Sequence, residues 1–67
     1  MTDEEKIVEL GKNFYEIRIK DIVGRVGVSR NTATRKINAL IEKNIFERRG
    51  KGAGTYFVYK KRKGNNK

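Results

Sequence analysis

A chain of 67 residues can build one hydrophobic core and not two, since a domain this small buries only about 60% of the surface its unfolded form exposes. It has no cysteine and no histidine, which excludes disulfide staples and the usual zinc ligand sets, leaves catalysis no foothold and implies no cofactor. Its 17 Lys and Arg against 8 Asp and Glu give a net charge of +9, a balance that attracts phosphate polyanions or anionic membrane surfaces.

Thr2 followed by Glu5 is a capping-box spacing, and Ile7, Val8 and Leu10 then form one apolar stripe before Gly11 and Asn13, so a first helix is expected over residues 3–11. Residues 14–19 mix aromatic and β-branched types with polar ones and read as an extended link or a short strand over 14–18. A second helix is expected over 20–26, with Ile22, Val23 and Val26 on its inner face, weakened by Gly24 and closed by Gly27. Ser29 then caps a third helix over 30–43, in which Ala33, Ile37, Leu40 and Ile41 recur at helical spacing until Asn44.

Two short apolar-aromatic runs follow, 45–49 and 55–59, separated by Gly50-Lys51-Gly52-Ala53-Gly54, which predicts a β-hairpin with a glycine-rich tip. Tyr56, Phe57 and Tyr59 divide between the two faces of the last strand; the exposed ones suit a dimer contact or stacking on unpaired bases. The tip lacks the Gly-Lys-Ser/Thr ending of a phosphate loop and no helix follows it, which argues against nucleotide binding. Residues 1–59 thus read as one domain and residues 60–67 as a basic, disordered tail, able to cover DNA phosphates or only to keep the terminus soluble. The opening residues lack the basic and apolar regions of a signal peptide and no apolar run could span a bilayer, so the expectation is a soluble, cytoplasmic chain without a membrane partner.

Charge is unevenly placed. Residues 1–16 carry five acids and two bases, so the remainder of the chain holds +12. On the third helix Asn31, Arg35 and Asn38 lie opposite the apolar stripe, with Arg30 and Thr34 at the flank; Arg and Asn are the types that pair with guanine and adenine edges. The helix's one acid, Glu42, lies at its far end.

The segment Gly27–Ile37, GVSRNTATRKI, resembles the turn and recognition helix of bacterial and archaeal helix-turn-helix regulators. Leu40–Phe46, LIEKNIF, with the hairpin ending in Thr55-Tyr56-Phe57-Val58, is similar to the second half of the winged members of that group, with Asn44 where glycine is common. The resemblance covers residues 20–59 and implies an α+β winged helix-turn-helix: three helices and a C-terminal two-stranded wing. Val23, where such motifs usually carry alanine, and Gly24 depart from the pattern.

What the resemblance implies is a DNA-binding transcription regulator that acts on double-stranded DNA at the nucleoid. Ser29 and Thr32 would touch phosphates, and Arg30, Asn31, Thr34 and Arg35, with Asn38 added, would face the major groove. Arg48, Arg49, Lys51 and Gly52 of the wing would hold the adjacent backbone or enter a minor groove. A homodimer on a two-fold site would suit so small a module, and no small-molecule effector is expected. Two alternatives share the fold: a winged-helix RNA binder of ribosomal type, and a protein-interaction module using helix 1 or the hairpin. A Z-DNA binder fits poorly, because the chain has no proline and position 38 is Asn.

Overall fold

The computed structural model describes residues 2–60, so all of the predicted tail except Lys60 lies outside the described residues. The elements run α1 (Asp3–Phe14), β1 (Glu16–Ile17), α2 (Ile19–Val26), α3 (Arg30–Glu42), β2 (Phe46–Arg49) and β3 (Tyr56–Tyr59), with one 3-10 turn at Gly52–Gly54. This is a small α+β domain of three helices on a three-stranded antiparallel sheet of order β1-β3-β2. No helix among the described residues is long and apolar enough to cross a membrane.

The start of α1 is set by a reciprocal cap. The Thr2 side chain accepts the Glu5 amide at 3.1 Å, and the Glu5 carboxylate accepts the Thr2 amide at 2.9 Å. The expected end at residue 11 is corrected: the helix continues to Phe14, and Gly11 is an interior residue. Its role is close approach. A Cβ at this position would strike the Phe46 ring, 2.8 Å from Cε1, and lie 3.1 Å from Tyr59 Cβ. The helix stops one turn later, where Tyr15 takes a left-handed φ of 67° and its amide donates to the Gly11 carbonyl at 2.7 Å. The Tyr15 carbonyl accepts the Tyr59 amide at 2.8 Å, which ties this turn to the last strand.

That tie brings the extended link into the sheet. Glu16 pairs with Val58 and Ile17 with Phe57, so the short strand expected within 14–18 forms at Glu16–Ile17 and joins the β2–β3 hairpin as a third strand on the far side of β3. Burial explains the placement: Ile17 is 1% exposed and joins Ile7, Leu10, Ile22, Ala33, Ile37, Leu40, Phe46 and Phe57 in one core. Val23, Val26 and Ile41, expected to face inward, are half-buried at its margin.

The end of α3 follows the Schellman pattern. Asn44 is left-handed at φ 65°; its amide donates to the Ile41 carbonyl at 2.9 Å and the Ile45 amide to the Leu40 carbonyl at 2.9 Å. This reversal delivers Phe46 to the core as the first residue of β2, opposite Tyr59, whose ring it meets edge-on at 5.6 Å. The Lys60 amide donates to the Ile45 carbonyl at 2.8 Å, so the outer end of β3 is held on the same hinge.

Two glycine substitutions separate packing from propensity. Gly24→Ala meets open space on an exposed helix face and is expected to stabilise the domain by about 0.5–1 kcal/mol. Gly11→Ala gains the same propensity but forces its methyl into a fully buried ring, for an expected net loss of about 1–2 kcal/mol. Urea melts of both variants check this; equal signs would remove the close contact between α1 and Phe46.

Candidate nucleic-acid interface

The bend between α2 and α3 is short because each end is closed locally. Gly27, left-handed at φ 85°, donates its amide to the Val23 carbonyl, and Ser29 opens α3 by accepting the Thr32 amide at 3.1 Å. Val28 is half-buried between them and packs on the core. With Ala33, Ile37 and Leu40 holding α3 from below, its other side stands in solvent: Arg30, Asn31, Thr34, Arg35 and Asn38 are all exposed, and Thr32 is half-buried.

Hydrogen bonds within the domain sort these residues further. The Ser29 hydroxyl donates to Thr32 Oγ1 at 3.0 Å while accepting the Thr32 amide, so its one proton is spent within the cap. Thr32 keeps its own hydroxyl proton to give, which makes it the better phosphate donor of the pair. Thr34 donates its proton to the Arg30 carbonyl at 2.9 Å and can offer an outside partner only lone pairs. Arg30, Asn31 and Arg35 enter no side-chain hydrogen bond or ion pair among the described residues.

Asn38 and Arg48 form a pair that the sequence did not suggest. Arg48 sits inward of the hairpin tip, and its guanidinium donates to Asn38 Oδ1 at 3.3 Å, linking β2 to the middle of α3. This engages the oxygen that a bidentate contact with adenine would need and leaves the Asn38 NH2 group as the free donor. Arg49 pairs with Glu47 at 3.3 Å, two residues away on the same strand face, and both are about half exposed, so the contact is weak and exchangeable.

Lys51 and Gly52 occupy the tip and are exposed. Glycine at position 50 is required by the turn: φ is 76°, and an added Cβ would meet the Gly54 carbonyl. The Thr55 hydroxyl donates to the Gly52 carbonyl at 2.9 Å and holds the 3-10 turn closed.

Two cations absent from the sequence reading border this region. Arg18 and Lys20, at the start of α2, line a cleft of about 310 Å³ together with Arg30, Gly52 and Ala53. The signal was present: helix starts favour acids, and bases there are electrostatically misplaced unless something outside the domain compensates them.

Acid gathers elsewhere. A groove of about 610 Å³ between α1 and the end of α3 is lined by Glu4, Glu5 and Glu9 with Lys12 and Lys43, and by Val8, Leu40 and Ile45; Lys43 bridges Glu4 at 3.3 Å. The exposed Phe14 lies under the Arg25 guanidinium at 4.7 Å, with exposed Tyr15 beside it. No protein-family model, curated protein or solved structure matches the chain significantly.

Proposed function

We propose that the domain is a winged helix-turn-helix that binds double-stranded DNA sequence-specifically as a transcription regulator, with α3 in the major groove and the β2–β3 turn on the adjacent backbone or minor groove. One observation carries the reading: the polar face of α3 is exposed, holds Arg30, Asn31 and Arg35 without internal partners among the described residues, and has no acid before Glu42 in the last turn. A buried or neutralised face could not enter a groove, whereas a free one presents the groups that read base edges.

In this reading Arg35 and Asn31 read bases, Arg30 and Thr32 meet phosphates at the helix start, and Arg48 braces Asn38 against the sheet. Lys51 and Arg49 are the wing's backbone contacts, Arg49 exchanging Glu47 for a phosphate at small cost. In this reading the chain acts at the nucleoid and carries no catalytic step. The module is small, so tight selective binding is served by a second copy on a two-fold site.

The test is selection of preferred duplexes from a random pool, followed by affinity measurements for Arg35→Ala on preferred and altered sequences. The variant is expected to lose about 1–3 kcal/mol on the preferred duplex and to relax the preference at the base pairs it reads. Equal losses on every duplex would remove Arg35 from the base-reading set, and tighter binding to structured RNA than to any duplex would overturn the proposal.

A further inference from the structure

The cleft beside the wing concentrates more positive charge than a free domain would favour. Arg18 precedes α2, Lys20 lies in its first turn and Arg30 opens α3, so each cation sits where unpaired helix amides already contribute partial positive charge. All three line the same cleft of about 310 Å³, together with Ile19, Gly52, Ala53, Thr55 and Phe57. No carboxylate lines it: the Asp21 carboxylate, near in sequence, accepts the Arg18 amide at 2.9 Å. Among the described residues, no ion pair or side-chain hydrogen bond occupies the three cationic groups.

Such an arrangement repels itself until an anion enters. Phe57, the one aromatic residue lining the cleft, is 4% exposed, so a base has no free ring on which to stack, and a simple phosphate group suits the site better than a nucleotide. We infer that Arg18, Lys20 and Arg30, with Gly52 and Ala53 of the wing turn, form a phosphate-binding cleft. Its occupant is a DNA backbone phosphate, held between the start of α2 and the wing turn while α3 lies in the groove. That source rests on the DNA-binding reading; the phosphate chemistry does not.

The whole chain with Arg18→Gln and Lys20→Gln together tests this. Both positions are exposed, and the Arg18 amide remains capped by Asp21, so the fold and the α3 face are retained. Backbone amide shifts of Gly52, Ala53 and Thr55 are followed with inorganic phosphate and with duplex DNA, alongside duplex affinity over a salt series. The expected result is that inorganic phosphate moves these amides in the wild type and not in the variant, and that duplex moves them less in the variant, where Arg49 and Lys51 still hold the wing. The variant's plot of log affinity against log salt becomes shallower by about 1, with the ranking of duplex sequences unchanged.

If the variant binds duplex as the wild type does but loses the response of these amides to inorganic phosphate, the phosphate chemistry holds and free phosphate replaces the backbone as its source. A wild type that answers phosphate yet binds no duplex defeats the DNA reading and leaves the cleft standing. A variant indistinguishable from the wild type in both titrations overturns the inference.

Discussion

Raising monovalent salt from 50 to 200 mM is expected to weaken duplex binding by about a thousandfold. The estimate follows from about six neutralised phosphates, which give log affinity a slope near −5 against log salt on B-DNA. Cationic contributors include Arg30 at the start of α3, Arg49 and Lys51 on the wing, and Arg18 and Lys20 at the start of α2, all exposed, with Arg18, Lys20 and Arg30 lining one cleft. The acids of α1 do not offset them, because Glu4, Glu5 and Glu9 line a separate groove. Fluorescence anisotropy with a labelled duplex at four salt concentrations measures the slope. A slope near zero would mean that the positive charge is a solvated surface and that the domain is an interaction module.

Phe46→Ala is expected to cost about 3–5 kcal/mol. A chain of this length has total stability of roughly 3–10 kcal/mol at the usual 0.05–0.15 kcal/mol per residue, so the substitution removes from about a third to all of it. The large effect arises because one ring joins three parts of the fold. Phe46 is 1% exposed, abuts the bare backbone of Gly11 on α1, and meets Tyr59 of β3 edge-on. Its loss opens a cavity where helix, hinge and sheet meet, and the edge-on pair, itself worth about 0.5–1.5 kcal/mol, is lost with it. Phe46→Leu keeps much of the volume and is expected to remain folded with a lowered melting temperature. Circular dichroism melts check both, and a loss below about 1 kcal/mol for Phe46→Ala would contradict the packing of α1 on the sheet.

Features encoded by neighbouring residues were readable in advance. The Thr2–Glu5 cap, the Ser29 cap, the apolar stripe of α3 and the left-handed Asn44 each depend on groups within about one helical turn, and each appears where its local chemistry places it. The two-residue strand β1 was only half legible, because Ile17 belongs to the sheet through pairing with Phe57, forty residues later. Gly11 misled for the same reason: a glycine near the end of an apolar stripe reads as a helix stop until Phe46 is seen against it.

The candidate site divides similarly. Exposure of Arg30, Asn31 and Arg35 follows from helical periodicity alone, since their angular positions are fixed once Ala33 and Ile37 face the core. The Arg48–Asn38 contact and the cleft around Arg18 and Lys20 depend on how the hairpin folds back over α2 and α3, and no local pattern encodes that crossing.

The central claim is that DNA meets the α3 face and the wing turn. Titrating a selected duplex into isotope-labelled protein and mapping the amide shifts tests this most directly. The account predicts large changes from Arg30 to Asn38 and from Arg48 to Thr55, with α1 from Asp3 to Glu9 unmoved. Changes centred on α1 or on Phe14 and Tyr15, with α3 silent, would contradict it.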